Sequence, residues 1–397
     1  MRGSIRVVLL VMCGLLATLA VGCGSSASSN STPNSSASSK PSDNAIVAQA
    51  DKALAVDYAG TDRALPKSGP KAVPGKTVWV LSCTEAGAGC ALPAAGAMQA
   101  GKVIGWHMKL LDGKYDPATY NSLIRQAIAA KVSGIVLVVV DCDLVQGSLK
   151  AAKAAGIKIY GLYSIDCNDP FGGGGAPLFD GSIEYQGGMS YGEYMEKDYG
   201  KAIADYVIAK TDGKAKVIEF KMLDTAVVHH INDGFEAEIA KCGGCVVWTK
   251  IFTASDFLSG KLQGFTTAML TQHPDATVVM APYDASILLG IGPAVQQAKA
   301  QGRKLMLTGG EGLPPNIKLI KSGVETAAFG APSRWIGWAA IDGLNRVFAG
   351  DPQVDPGIGH QTIDATHNLP TGSGGYDGNA KSAGYAANYE RIWGVGG

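Results

Sequence analysis

The sequence has few charged side chains and no excess of either sign. Charged residues make up 17% of the 397 residues, with 34 basic side chains against 34 acidic ones. A nucleic-acid-binding chain needs a basic surface, because neutralising phosphates supplies most of its affinity. The balanced charge therefore argues against nucleic acid as a partner.

The sequence also lacks patterns that would carry catalysis or metal binding. It contains no HExxH and no plausible triad order of serine, histidine and acid. The glycines at Gly172–Gly175 lack the Lys-Ser/Thr of a phosphate loop. His229 and His230 are adjacent and would point apart on a helix, with no third ligand at a useful spacing. We expect no catalytic residue, no metal and no cofactor; a secreted hydrolase is the enzymatic alternative.

The apolar run near the start is too short for a permanent membrane span. Arg2 and Arg6 precede an apolar run over residues 7–20, the layout of a bacterial export signal. We therefore expect residues 1–22 to be a signal peptide. The end of this run, LAVGC, resembles the lipobox of bacterial lipoproteins, which makes Cys23 the expected lipidation site. The alternative is an ordinary secreted protein with a stray cysteine.

A polar tract separates this segment from the first core-forming pattern. Residues 24–42 are rich in serine and asparagine, a composition typical of a flexible tether. One short helical pattern follows over residues 44–58, and residues 66–75 form a Pro/Gly/Lys linker. The sequence predicts that residues 23–75 tether a domain that starts near Lys76, outside the cell membrane and anchored to its outer face.

Six further cysteines follow Cys23, an even number in a compartment where disulfides persist. Six cysteines allow fifteen pairings. A reactive thiolate is favoured at the N-terminus of a helix. The Cys242-Gly-Gly-Cys245 pair instead follows a helix, so we interpret it as a structural disulfide. Proximity along the chain favours three pairs: Cys83 with Cys90, Cys142 with Cys167, and Cys242 with Cys245.

From Lys76 onward, short β-branched runs alternate with helical segments that have clear start signals, such as the N-cap Asp116 followed by Pro117. Runs this apolar are typical of parallel strands that are covered on both faces. A glycine-rich break over residues 167–188 divides the series in two. The prediction is an α/β fold of two doubly wound parallel-sheet lobes. The predicted strands are residues 78–82, 107–111, 134–141, 157–163, 216–220, 246–252, 277–282, 304–308 and 325–329.

The order of these signals resembles the type I periplasmic binding proteins, in particular the ribose and xylose branch of sugar receptors. The stretches that carry the resemblance are DGKYDP at 112–117, AAKAAGIKI at 151–159, NDGF at 232–235, HPD at 273–275 and YERIWG at 389–394. The resemblance implies two lobes joined by three crossovers near 166–169, 330–332 and 357–360. It places the first lobe at 76–166 plus 332–357 and the second at 167–331 plus 358–397.

Ligands of open parallel sheets bind outside the carboxyl ends of the strands, and most of these ends are polar here. Residues carried over from the family or placed at strand ends and crossovers are candidate ligand contacts. His229 stands where the family motif has an arginine, Tyr283 replaces an asparagine and Glu311 an aspartate. The candidates are Thr84, Glu85, Asp141, Asp166, Phe171, His229, Tyr283, Asp284, Glu311 and Trp335.

The resemblance implies an extracytoplasmic solute-binding protein, monomeric, that delivers a small molecule to the membrane permease of an ABC importer. A sugar or polyol is the favoured ligand, since carboxylates accept from ring hydroxyls and aromatic rings cover the C–H face. The first loop, Glu85–Pro93, lacks the asparagine and phenylalanines frequent in sugar receptors, so ribose itself is doubtful. A small amine or aromatic ligand, and a ligand-sensing receptor of the same fold, are the alternatives.

Overall fold

The computed structural model describes residues 43–395 and contains two parallel sheets, each flanked by helices. The first sheet has five parallel strands in the order β2-β1-β3-β4-β5. Their bounds are β1 Thr77–Ser82, β2 His107–Asp112, β3 Gly134–Val138, β4 Lys158–Leu162 and β5 Gly181–Ser182. Leu81, Val136 and Leu137 are fully buried, because helices cover both faces of this sheet.

The second sheet has six strands in the order β11-β10-β9-β8-β6-β7. All neighbours are parallel except β11, which pairs antiparallel with β10. The strand bounds are β6 Lys216–Met222, β7 Val246–Phe252, β8 Val278–Met280, β9 Met306–Thr308, β10 Ala327–Gly330 and β11 Gln361–Asp364. The predicted pair of doubly wound lobes is therefore confirmed.

The helices divide between the two lobes according to the sheet they pack on. Those of the first lobe are α2 Ala88–Val103, α3 Pro117–Ala129, α4 Cys142–Ala154, α13 Ser333–Ala349 and α14 Tyr385–Trp393. Those of the second lobe are α1 Asp43–Ala59, α5 Tyr191–Tyr194, α6 Lys201–Lys210, α7 Ala226–Ile239, α8 Ala254–Leu258, α9 Leu262–Gln272, α10 Asp284–Ser286, α11 Gly292–Ala300 and α12 Pro314–Lys321. Two π-helical turns, Met195–Gly200 and Ile287–Ile291, join α5 to α6 and α10 to α11.

All nine predicted strands are present, with ends within a few residues of prediction. The start of α3 is as predicted, since the Asp116 carboxylate accepts from the N–H groups of Ala118 and Thr119. Strands β5 and β11 were not predicted. Each is short and follows a glycine-containing connection, so neither leaves an apolar run in the sequence.

Between β1 and β11 the chain passes between the lobes three times, at residues 183–190, 331–332 and 350–360. The last two positions agree with expectation. The first was expected at 166–169, but β5 pairs with β4 and keeps the chain in the first lobe as far as Ser182. The predicted boundary at Asp166 is therefore wrong.

The two ends of the described chain also depart from the predicted lobes. Helix α14, expected in the second lobe, packs on α13 of the first: the Trp338 and Trp393 rings stack with centroids 5.8 Å apart. The indole N–H of Trp393 donates to Asp342 Oδ1 at 2.8 Å. Helix α14 follows a strand of the second sheet along the chain, yet its buried tryptophan contact places it on the first lobe.

Residues 60–75, which we call the N-terminal strap, are not a free linker. Arg63 forms a bidentate pair with Asp355, at 3.1 Å from Nε and 2.9 Å from Nη2. Further along, the N–H of Ala72 donates to the carbonyl oxygen of Trp393. The folded unit therefore includes α1 and the strap, and the expectation that it starts near Lys76 is corrected.

The expected signal peptide, Cys23 and the serine-rich tether lie outside the described residues. Within residues 43–395, no helix is both long enough and apolar enough to cross a membrane.

Candidate functional site

A cavity of about 510 Å³ lies between the two lobes, at the carboxyl ends of the strands of both sheets. The first lobe contributes the loop after β1, the turn after β2, and the residues that follow β3 and β4. The second lobe contributes α5, the Met195–Gly200 turn, α7, α8 and the loops after β8 and β9. A cavity of this size suits one small molecule that touches both lobes.

Aromatic rings form much of the cavity wall. Tyr115 of the first lobe lies 6.3 Å from Phe257 of the second, and Phe257 lies 5.8 Å from Tyr283, measured between ring centroids. Across from them, Tyr163 and Tyr191 are 5.2 Å apart. Aliphatic side chains fill most of the remaining wall, including Met195, Met222, Val227, Val228, Ile231, Leu258, Leu289 and Leu313.

Three of the ten predicted ligand contacts line this cavity: Thr84, Tyr283 and Glu311. Thr84 follows β1, Tyr283 precedes α10, and Glu311 follows β9. Each lies just beyond a strand end, where the parallel sheet directs its loops. Their contact with a ligand stays a prediction.

Glu311 lies in a group of three neighbouring acidic residues. One Glu311 oxygen accepts from the Asp284 N–H at 2.8 Å, while Asp284 Oδ2 accepts from the Leu313 N–H at 2.6 Å. Burial raises the pKa of Asp284 well above its usual value, and the neighbouring Glu311 and Glu325 raise it further. Burial also raises the pKa of Glu311. Asp284 is fully buried beneath the wall, so it does not face the cavity as expected.

Asp141 and Asp166 bind the protein's own backbone instead of facing the cavity. Asp141 Oδ1 accepts from the Ile165 N–H at 2.9 Å, and the N–H of Ala226, at the start of α7 in the other lobe, lies close enough to favour the ionised carboxylate. Burial raises the pKa of Asp141 to about 7. Asp166 accepts from the N–H groups of Leu178 and Phe179. These carboxylates are acceptors for loop and helix backbone, which corrects the expectation that they line the cleft.

Phe171 and His229 contact each other rather than the cavity, also contrary to expectation. Their ring centroids lie 3.8 Å apart, nearly parallel, and the next residue, His230, meets the Phe171 ring edge-on at 4.8 Å. Phe171 belongs to a first-lobe loop and both histidines to α7. The pair therefore joins the lobes beside the cavity.

The last two predicted contacts, Glu85 and Trp335, also lie outside the cavity wall. The Glu85 N–H donates to Asp112 Oδ1 at 3.1 Å, which fixes the first loop. Trp335 is completely buried, with its ring stacked on Tyr385 at 6.1 Å. Trp335 lies in the first turn of α13, where its side chain belongs to the core of the first lobe.

The sequence reasoning missed two wall residues with unusual backbone. Val139 and Tyr163 follow β3 and β4 and have φ of 53° and 54°. A β-branched residue is rarely found at positive φ, and such strain is concentrated at functional sites. Both side chains line the cavity. Positive φ values can be seen only in a tertiary structure, so the sequence could not have identified these two residues.

Ser190 lies in the stretch GMSYG at 188–192, which matches the GxSxG pattern of hydrolases. Ser190 is the N-cap of α5 and forms a capping box with Glu193, since its hydroxyl and backbone N–H both meet that carboxylate. A nucleophile elbow joins a strand to a helix, whereas this stretch follows a short helical turn. Ser190 therefore has a structural role.

The six cysteines are joined in the three expected pairs, with Cα–Cα distances of 5.9, 5.1 and 5.4 Å. The Cys83–Cys90 bond closes the first binding loop, whose Cys90 lines the cavity. The Cys142–Cys167 bond ties the start of α4 to the loop after β4. Two of the three bonds therefore hold loops around the cleft.

The family model for the periplasmic binding protein domain matches residues 83–352. A search of the curated proteins found no match.

Several solved structures are similar to this chain in fold. A solute-binding protein from Agrobacterium vitis, bound with α-D-tagatopyranose, is 20% identical, with a TM-score of 0.63 over 73% of this chain and 95% of its own. A glucose-galactose binding protein from Geobacillus stearothermophilus is 18% identical, with a TM-score of 0.62 over 75% and 99%. The arabinose-transporter component from Shewanella sp. ANA-3, bound to L-arabinofuranose, is 19% identical, with a TM-score of 0.58 over 80% and 95%. At these identities the likeness shows the fold.

Proposed function

We propose, from the premise that this chain belongs to the periplasmic binding protein domain family, that it is the extracytoplasmic solute-binding protein of an ABC importer. The observation that carries this function is the single cavity whose wall is shared by both lobes. A ligand that touches both lobes favours the closed arrangement over the open one, because only the closed form offers all the contacts.

The proposed partner is a membrane permease, to which the closed lobes present a surface that the open form lacks. Cys23, if lipidated, would hold the protein at the outer face of the cell membrane. We propose a monomer without nucleic-acid partners and without enzymatic activity, in keeping with the binding role of the family. Deleting the permease in cells that produce this protein tests the role. Uptake of the ligand should then stop, while the purified protein still binds the ligand.

Two ligand classes have support. The ligands of the solved neighbours are sugars, which supports a sugar or polyol. The aromatic and aliphatic wall of this cavity supports a small amine or aromatic compound instead. In both cases Thr84, Tyr283 and Glu311 are the proposed polar contacts.

A thermal-shift screen over sugars, polyols, amines and aromatic acids tests the binding function directly. A ligand bound only by the folded state raises Tm. At a ligand concentration a hundredfold above Kd, it increases the free energy of unfolding by about 2.7 kcal/mol. Turnover of a bound compound would instead indicate a hydrolase. A rise in Tm for one class without turnover is the expected result.

A further inference from the structure

Some of the polar groups in the cavity wall already have a hydrogen-bond partner within the protein. The Tyr199 hydroxyl meets the carbonyl oxygens of Gly310 and Phe329, both at 2.8 Å. Thr84 Oγ1 accepts from the Ala86 N–H at 3.2 Å. Within residues 43–395, the Tyr163 hydroxyl is a buried wall group without a partner. The other free polar groups of the wall in this part of the chain, such as the Tyr115 and Tyr191 hydroxyls, lie among mainly apolar side chains.

Glu311 brings a carboxylate to the cavity wall and, in the described part of the chain, has no basic partner there. Among residues 43–395, no lysine, arginine or histidine lies within 4 Å of the carboxylates of Glu311, Asp284 or Glu325. Asp284 and Glu325 are almost completely buried. Buried carboxylates are costly unless a proton or a cation neutralises them. Of the three, only Glu311 lines the cavity, so it is the acidic group that a bound cation would contact.

Aromatic rings surround this carboxylate at the level of the cavity wall. The Tyr115–Phe257–Tyr283 contacts form one aromatic face, and the Tyr163–Tyr191 contact forms another. Aromatic faces attract organic cations through the ring quadrupole, most strongly when the cation is desolvated. The same rings can also pack against the apolar part of a flat or compact ligand. A carboxylate among aromatic rings is the arrangement that recognises an alkylated or aryl ammonium.

We propose that the solute is a monovalent organic cation with an apolar body of about one ring, its ammonium group at Glu311 and its body between the two aromatic faces. This inference rests on the proposed function and concerns the same cavity. A sugar would place several of its hydroxyls against aliphatic side chains, where a buried hydroxyl without a partner is unfavourable. An anion at the same place would be repelled by the Glu311 carboxylate.

The binding should depend on pH in a direction that a neutral ligand would not show. Burial raises the pKa of Glu311, and a bound ammonium requires that carboxyl to be ionised. Affinity for the cation should therefore fall as pH decreases through the Glu311 pKa. Asp284 lies behind Glu311, whereas the exposed Asp112 and Lys114 line the same cavity with opposite charges.

The test uses probes of similar size that share a phenyl ring and differ in their polar end group, which is cationic, neutral or anionic. Calorimetry with the chain from Asp43 onward would compare 2-phenylethylamine, 2-phenylethanol and phenylacetate, with L-arabinose, D-tagatose and allitol in the same series. We expect the amine to bind at least tenfold more tightly than the alcohol, and the acid and the three carbohydrates to bind more weakly still.

The matched variants separate charge from shape. Glu311→Gln keeps the size of the side chain and should remove the preference for the amine over the alcohol. Glu390→Gln, on α14 and outside the cavity wall, should leave that preference unchanged. The melting temperature of each variant without ligand shows whether the fold is intact.

Each outcome decides between the two proposals. Tight binding of a carbohydrate, or equal binding of amine and alcohol, would overturn the cation inference and leave the solute-binding function intact. Absence of binding by every probe, and by wider panels of the same four classes, would overturn both. Loss of amine preference in Glu311→Gln alone supports the inference.

Discussion

His230 and Asp169 form an ion pair across the two lobes, with His230 Nε2 3.0 Å from both carboxylate oxygens of Asp169. The other ring nitrogen, Nδ1, lies 3.2 Å from Glu196. His230 is on α7 of the second lobe, and Asp169 is in the first-lobe loop that the Cys142–Cys167 bond holds. The pair therefore exists only when the lobes are together.

Ligand affinity should accordingly weaken as pH rises through the raised His230 pKa. Burial of His230 disfavours the imidazolium, but the hydrogen bonds that its ring N–H groups donate to Asp169 and Glu196 outweigh burial and raise its pKa in the closed form. A raised histidine pKa contributes stability that is full below its unperturbed value and is lost above the raised one. Calorimetric Kd values between pH 6 and 9 measure the effect.

The variant His230→Gln should flatten this pH dependence and weaken binding several-fold at pH 6. His107→Gln, an exposed histidine on β2, is the matched control and should behave as the parent protein. If both variants kept the parental slope, the ion pair would have no part in closure.

Removal of the Cys142–Cys167 bond should destabilise the protein more than removal of the Cys242–Cys245 bond. The first closes a loop with a sequence separation of 25, the second one of 3. Loop-closure entropy predicts losses of roughly 3.5 and 1.6 kcal/mol for the paired Cys→Ser variants. Urea unfolding measures both, after non-reducing peptide mass spectrometry has established the pairing. Equal losses would contradict the entropic account.

Asp62 in the N-terminal strap should be essential for stability. It is buried and accepts from the Gly359 N–H, the Tyr376 hydroxyl, the Asn379 N–H and the Ser382 hydroxyl, at 3.0–3.3 Å. Asp62→Ala leaves these donors unpaired, at about 1–3 kcal/mol for each that water does not reach. We expect a loss of about 3 kcal/mol or more in urea unfolding.

The control for this prediction is Asp51→Ala on the exposed side of α1, which should change the free energy of unfolding by less than about 0.5 kcal/mol. An Asp62→Ala protein as stable as this control would show that the strap is dispensable.

Glu219→Gln should stabilise the protein at high pH and leave it nearly unchanged at low pH. Burial of Glu219, with Glu236 nearby, raises its pKa to about 7. A carboxyl with a raised pKa stabilises the fold while protonated, and this stability is lost as pH rises from about 4.5 through 7. The neutral amide keeps partners in Asn232 and Thr249. Urea unfolding at pH 5 and pH 8.5 should show a gain on the order of 2 kcal/mol only at pH 8.5.

The apolar runs of the sequence were sufficient to predict the sheets. A strand such as Gly134–Val138, buried on both faces, has no alternation and no polar interruption, so its position and its parallel pairing follow from composition. The three cysteine pairs were likewise predictable from short separations. The short β5 and β11 were not, because only their neighbours in the sheet define them.

The candidate site was predictable only in part. Glu311 and Tyr283 lie just past strand ends, and position in a parallel sheet was enough to place them at the cavity. The same argument put Asp141 there, yet its carboxylate accepts the Ile165 N–H and lies near the first residue of α7 in the other lobe. Sequence cannot distinguish an acid that meets a ligand from one that caps a helix of the other lobe, because both follow a strand.

The sequence by itself determined the alternation of strands and helices, the division into two lobes and the residues at strand ends, since these depend on local hydrophobic periodicity. Tertiary structure alone decided which of those residues face the cavity, and it put aromatic rings from distant segments, such as Tyr115 and Phe257, side by side. The reason is that side-chain direction and hydrogen-bond partners depend on contacts between the lobes, which no local pattern encodes.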